Sequence, residues 1–285
     1  MPPISSRIPT PQEIGLPEQF ERWRPEQEDC LRELLTRPER VIAEAAPGGF
    51  GKTAVVVAHA LITNKSTCFV TESRGLQDQY MDIFGPCGMV DLRGRRNYDC
   101  HMRPDYSCQE GYAAGCPHKG SMACPSTAAE TRAASSRLVV TNYDKWTSSR
   151  KFGRGMEHFE QVVFDEGHKA PAALERAMSI TLHAREVEDG LGIDFPRGAD
   201  EMVNWVPWAR MARLDCQERY QTAKANLDAG QYNLAKEVLH LRHLLKRLTV
   251  LSTANPQYWV VDVVKTGHQF DPIRAGRYAE SILLL

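Results

Sequence analysis

Between Glu44 and Thr53 the chain runs Glu44-Ala45-Ala46-Pro47-Gly48-Gly49-Phe50-Gly51-Lys52-Thr53. Glycines at this spacing let backbone N–H groups turn inward on phosphate oxygens with no Cβ in the way. Lys52 has the reach for β- and γ-phosphates, and the Thr53 hydroxyl can ligate Mg²⁺. Ala46, Gly49 and Gly51 complete the candidate nucleotide-binding set, with Ala46 standing where the strict pattern has Gly. Such a loop needs a strand before it and a helix after it, so that a helix N-terminus adds its partial positive charge. The apolar run Val41-Ile42-Ala43 predicts a strand over 40–45, and the apolar stretch from Ala54 to Ile62 predicts a helix over 52–63. A loop that only resembles a phosphate cradle is the bland alternative.

Further on, Val162-Val163-Phe164-Asp165-Glu166-Gly167-His168 has the pattern of a buried strand ending in acidic residues. Asp165 can hold Mg²⁺ through water, and Glu166 can orient or deprotonate an attacking water. His168 stands where it would sense the γ-phosphate. An ordinary strand with a polar C-terminal end is the alternative; downstream of a phosphate loop, the acidic reading gains force.

Cys100, Cys108, Cys116 and Cys124 recur with seven residues between neighbours, in a segment of Gly, Pro, Tyr and charge. Such a segment buries little apolar surface and needs a staple. Disulfides are disfavoured because nothing marks secretion. Structural zinc usually shows close pairs such as C-x₂-C, absent here. Four isolated thiolates suit a cubane iron–sulfur cluster, whose corners accept long connections. Zinc and free thiols stay open as alternatives. His101 and His118 lie beside these cysteines and read as loop histidines.

Taken together, these segments resemble the XPD/DinG-type iron–sulfur DNA helicases. The likeness rests on Arg24-Pro25-Glu26-Gln27, the A-x-x-G-x-G-K-T form at 46–53 common in superfamily 2 helicases, and Thr71-Glu72-Ser73-Arg74-Gly75-Leu76-Gln77-Asp78-Gln79. It continues through Leu92-Arg93-Gly94-Arg95-Arg96-Asn97-Tyr98-Asp99-Cys100, the three later cysteines, Val139-Val140-Thr141-Asn142-Tyr143 and Asp165-Glu166-Gly167-His168. The motifs stand in the family's order and cover about residues 20–170. Gly167 replaces the family's usual Ala. An S-A-T-type segment and the second motor domain have no counterpart in these 285 residues.

The resemblance implies further roles. Arg24 and Gln27 match an adenine-sensing motif; a carboxamide can pair with both the donor and the acceptor on adenine's edge. Arg74, at a helix N-terminus, matches a strand-tracking position. Arg93, Arg95, Arg96 and Tyr98 combine phosphate attraction with base stacking, as single-strand tracking requires. Asn142, at a strand end, either contacts a nucleic-acid backbone or caps its own helix. Implied cofactors are ATP, Mg²⁺ and a 4Fe-4S cluster. Implied partners are single-stranded or forked DNA and a second motor domain, in cis or in trans.

The net charge of −1 gives no global basic field, so nucleic-acid contact must be local. A hydrophobic content of 42% permits a real core. Cys30, Cys68, Cys87 and Cys216 fall in apolar surroundings and read as small core residues. The N-terminus lacks the apolar centre of a signal peptide, and no run is long enough for a membrane span. A cytoplasmic setting, nucleoid-associated in a bacterium or phage, is therefore expected.

Stepping along the chain, residues 1–19 hold five prolines and predict an extended arm. A helix over 25–36, a strand over 67–71, a helix over 74–84, strands over 138–141 and 162–165, and a helix starting at Asn142 alternate as in a parallel α/β sheet. Active residues then fall at C-terminal strand ends. Beyond Pro171 the pattern is helical. Leu234, Val238, Leu241, Leu245 and Leu248 form an apolar stripe. Lys236, Arg242, His243, Lys246 and Arg247 lie off it, as a solvated face would. Trp259 to Phe270 predicts a β-hairpin, and Ala275 to Leu285 a helix.

The expected architecture is thus α/β. A RecA-like, P-loop motor domain occupies 20–90, 131–170 and 256–285. An iron–sulfur insert occupies 91–130, and a helical arch-like insert 171–255. The expected function is the ATP-binding and iron–sulfur part of an ATP-dependent DNA helicase, moving 5′ to 3′ by resemblance. It lacks the second motor domain and is weakly active alone. The alternatives are a non-catalytic ATP- and nucleic-acid-binding module and a zinc-stabilised P-loop ATPase.

Overall fold

The computed structural model describes residues 7–151, 156 and 158–283. Residues 1–6 of the expected arm and 284–285 of the expected terminal helix lie outside them. In chain order the main elements are α1 (Pro25–Thr36), α2 (Lys52–Thr63), β1 (Thr67–Thr71), α3 (Arg74–Phe84), β2 (Met89–Asp91), β3 (Asp99–Cys100), β4 (Arg103–Ser107) and α4 (Cys108–Ala113). Then follow α5 (Pro125–Ser135), β5 (Leu138–Asn142), α6 (Tyr143–Lys151), β6 (Gln161–Phe164), α7 (Ala170–Met178) and β7 (Ile180–His183). Last come α8 (Met202–Asp228), α9 (Ala235–Ser252), β8 (Trp259–Val264), β9 (Gly267–Pro272) and α10 (Ala279–Leu283). They pack as two compact units. The first holds the described residues up to Arg93 with Ala129–Ala170; the second holds Gly94–Ala128 and Pro171–Leu283.

The first unit is built on a parallel sheet of order β2-β5-β1-β6. All five residues of β1 are buried, as in parallel sheets covered on both faces. Leu31 of α1, Val55 and Val57 of α2, Phe69, Tyr80, Phe84 and Val140 form its core. The proline-rich N-terminal segment packs rather than trails: Ile8 and Leu16 are buried, and the Trp23 indole N–H donates to the Pro9 carbonyl at 2.8 Å.

One element departs from expectation. Residues 40–45 form no strand, and Val41 is 62% exposed. Three apolar residues between Arg40 and Glu44 offer little surface to bury, and a strand needs a neighbour for its N–H and C=O groups. Next to it in chemistry, β6 is the terminal strand of the sheet and only half-buried.

The second unit combines the cysteine segment, the helices and an antiparallel sheet of order β7-β9-β8. The expected hairpin is present, but it pairs with β7 and lies in this unit, where the sequence grouping had placed 256–285 with the motor domain. Trp205, Leu244, Leu248 and Phe270 lie at the centre of its core. The α9 stripe is close to the expected one. Val238, Leu241 and Leu248 are buried, Leu234 and Leu245 are half-buried, and Leu239, Leu244 and Leu251 complete the face.

Candidate functional site

In the first unit the phosphate loop leads directly into α2, whose N-cap Gly51 has φ +88°. A Cβ at Gly51 would lie 2.4 Å from the Gln27 amide nitrogen, so both the backbone angle and the close approach require glycine there. Gly49 also takes a left-handed φ, +76°. Lys52 arches across the loop, its ammonium donating to the carbonyls of Ala46 at 2.7 Å and Pro47 at 3.3 Å. Behind the loop, Arg24 donates to the Gly49 carbonyl at 2.9 Å and Gln27 to the Phe50 carbonyl at 2.7 Å. The Gln27 side-chain oxygen accepts from the Arg24 backbone N–H at 3.1 Å, at the start of α1. Arg24 and Gln27, expected to sense adenine, here bond carbonyls of the phosphate loop.

Asp165 follows β6, held by an N–H bond to the Val70 carbonyl of β1 at 3.0 Å. One of its carboxylate oxygens accepts from the Glu166 N–H at 3.1 Å, the other from the Tyr80 hydroxyl at 3.2 Å. Burial raises the Asp165 pKa; the Tyr80 hydroxyl, the Glu166 amide and the Lys52 charge pull it back. Tyr143 adds a bond to the Asp165 carbonyl at 3.2 Å. Glu166 adopts a left-handed φ of +51°, uncommon for a residue with a side chain. Its carboxylate lies 3.3 Å from His168 Nδ1. The Lys52 charge thus acts on Asp165, and Glu166 and His168 pair beside it. Tyr80 escaped sequence reasoning, because on α3 it falls on the apolar face and reads as core.

The candidate nucleic-acid residues are dispersed. Arg74 is exposed at the start of α3, behind its N-cap Ser73. Arg93 is committed to Asp91 at 2.6 Å and to Asp78. Arg95, Arg96 and Tyr98 belong to the second unit, where the Arg95 guanidinium lies 5.0 Å from the Tyr112 ring centre and Arg96 is exposed. Asn142 uses both ends of its amide within the fold. Its oxygen caps α6 through the Lys145 N–H at 2.9 Å, and its nitrogen reaches Gln77 at 3.5 Å. Gln77 is fully buried and donates to Asp91, Leu92 and Val140, tying strand ends together.

In the second unit Cys100, Cys108, Cys116 and Cys124 line one small cavity, with His101, Tyr112 and His118 at its walls. Their sulfurs fall into two pairs, Cys100 with Cys116 and Cys108 with Cys124, each 3.9 Å apart. Backbone N–H groups of Ser126, Thr127 and His118 point at these sulfurs. Burial pushes the Cys108 thiol up to about 11. Burial also raises Cys124, but the Thr127 and Ser126 bonds and the Cys108 thiol outweigh it and bring Cys124 below the usual range. A Cβ at Gly111 would stand 2.5 Å from the Cys100 sulfur, so α4 carries glycine where it passes the cavity. Among the described residues, no three His, Cys, Asp or Glu side chains are placed to hold a single metal ion. Nor is any described helix long and apolar enough to cross a membrane.

No curated protein matches the chain. A family model described as "Type III restriction enzyme, res subunit" matches residues 21–189, more than half of the chain. That span contains the phosphate loop, the parallel sheet and the Asp165-Glu166 strand end. The α/β fold with its four-stranded parallel sheet is consistent with a RecA-like helicase domain, and the chain belongs to the family of type III restriction enzyme res subunits, a superfamily 2 helicase-like ATPase domain.

Proposed function

We propose that this chain is the ATP-binding and iron–sulfur part of an ATP-dependent DNA helicase of the XPD/DinG type. The observation that carries the reading is that four cysteines spread over 25 residues line a single cavity in a chain that also bears a helicase P-loop. Four thiolates set far apart in sequence suit a cubane cluster, whose corners accept long connections, better than one zinc ion, which usually takes close pairs such as C-x₂-C. Cys100, Cys108, Cys116 and Cys124 are the residues that would hold it, and bound there it supplies a staple to a segment with little core of its own.

In the first unit, Lys52 and the loop amides bind phosphates. Thr53 and Asp165 would hold Mg²⁺, which neutralises phosphate charge when bound. Glu166 orients the attacking water, and His168 answers to its state. Arginines facing the γ-phosphate come from a second motor domain, in a longer chain or on a partner; such a residue is worth roughly 10³–10⁵ in rate. Exposed Arg74 and Arg96 contact single-stranded DNA.

The test is direct. Anaerobically purified chain should be brown, hold about four irons, bind ATP and single-stranded DNA, and hydrolyse ATP slowly. Supplying a second motor domain in trans should raise hydrolysis. A colourless, stoichiometric zinc protein would overturn the iron–sulfur reading, and unchanged ATP binding by a folded Lys52→Ala variant would overturn the nucleotide site.

A further inference from the structure

Tyr80 is a core side chain whose hydroxyl reaches the acidic half of the candidate nucleotide site. It is 3% exposed, and its ring packs between Phe69 and Phe84, with centroids 5.8 and 5.9 Å away. A buried phenol with only apolar neighbours would leave its hydroxyl unsatisfied. Here the hydroxyl donates its one proton to Asp165 Oδ2 at 3.2 Å.

We infer that Tyr80 is a positioning residue for Asp165, the carboxylate proposed to hold Mg²⁺. The inference rests on the nucleotide-site reading above. Its logic is one of lone pairs. A carboxylate offers about four acceptor positions on its two oxygens. By bonding one oxygen of Asp165, while the Glu166 N–H bonds the other, Tyr80 fixes the rotation of the carboxylate and leaves further lone pairs open for a cation.

Tyr80→Phe keeps the ring and its packing and removes only the oxygen. Binding of a fluorescent ATP analogue is measured across a Mg²⁺ titration and again with the metal chelated. The expected result is a rise of about tenfold in the Mg²⁺ concentration needed for half-maximal tightening, with metal-free affinity and melting temperature near wild type. In an Asp165→Asn background the same change should shift the Mg²⁺ dependence little, since its partner is already altered. An unchanged Mg²⁺ dependence overturns the proposal. So does an equal loss with and without metal, which marks Tyr80 as packing alone. If wild-type chain binds no ATP in either condition, the nucleotide-site reading itself has failed, a result distinct from either.

Discussion

Gln27 and Phe50 are joined across 23 residues of sequence: the Gln27 carboxamide donates to the Phe50 carbonyl at 2.7 Å, inside the phosphate loop. Its oxygen is taken by the Arg24 N–H at 3.1 Å. Both ends of the amide therefore act on protein, and α1 becomes the back wall of the loop. Removing it frees a loop whose amides must converge on phosphate.

Gln27→Ala should thus lower nucleotide affinity by roughly thirtyfold, the loss of two bonds at about 1 kcal/mol each. Because the loop contacts phosphate rather than base, ATP and GTP should lose alike. Parallel titrations with the two nucleotides check this; a loss confined to ATP assigns Gln27 to adenine.

Gly111→Ala should expel the proposed iron–sulfur cluster. The added methyl would meet the Cys100 sulfur at 2.5 Å and its Cβ at 3.2 Å, so α4 or Cys100 must move. Iron content after anaerobic purification should fall well below that of the wild type. Cys108→Ser should do the same. Hydrogen exchange should then rise both in 94–128 and at the start of α9. There the Tyr106 hydroxyl bonds the Tyr232 carbonyl at 2.5 Å, Arg103 lies 3.8 Å from the Tyr232 ring centre and Gln109 meets His243. Exchange confined to 94–128 would show the two parts to be independent.

Reversing charge at Arg95 and Arg96 should weaken single-strand binding and flatten its dependence on salt, since each phosphate contact releases counterions. Arg93→Glu should act differently, because its guanidinium is held by Asp91 and Asp78. Placing a third carboxylate there should lower the melting temperature of the first unit. Equal effects on DNA binding from all three, with stability unchanged, would contradict the ion pairs seen here.

Glu186 and Arg247 form a two-pronged pair at 2.8 and 2.9 Å in the second unit, where Arg247 also donates to the Thr181 carbonyl. Burial raises the Glu186 pKa, but Arg247 and the His183 amide outweigh it and hold the carboxyl below its usual range. A lowered folded-state pKa gives stability that is complete above the unfolded value, about 4.3, and fades as pH falls through the folded one. Arg247→Met should therefore destabilise the second unit by about 2 kcal/mol at pH 7. The gap to wild type should narrow below about pH 4 as the carboxylate is protonated. Fluorescence of Trp205 and Trp208, both in that unit, reports the unfolding.

Elements written in contiguous residues were legible in the sequence. The phosphate loop, α2, β1 and α3 stand at their expected bounds, and Asp165 and Glu166 lie at a strand end as proposed. What needed three dimensions stayed hidden. Tyr80 shares its helix face with core residues, so only its distance to Asp165 betrays a second role. Ile180-Thr181-Leu182-His183 is too short to announce a strand, and its partner β9 lies far along the chain. Residues 40–45 have strand-forming composition but no ladder to join. Asn142 offered two readings, and the bond to the Lys145 N–H puts it on its own helix.

Glu166 holds a backbone angle that most side chains avoid, at a cost of order 1–3 kcal/mol for a residue kept in a sparsely populated region. Glycine at 166 would relieve it, and Gly167 follows immediately. Selection or engineering for thermal endurance alone would therefore drift toward replacing this carboxylate, raising the melting point while removing the group proposed to direct water. Heat tolerance and turnover pull against each other at a single φ angle, and a library screened for both at once should leave position 166 untouched while gathering its gains elsewhere.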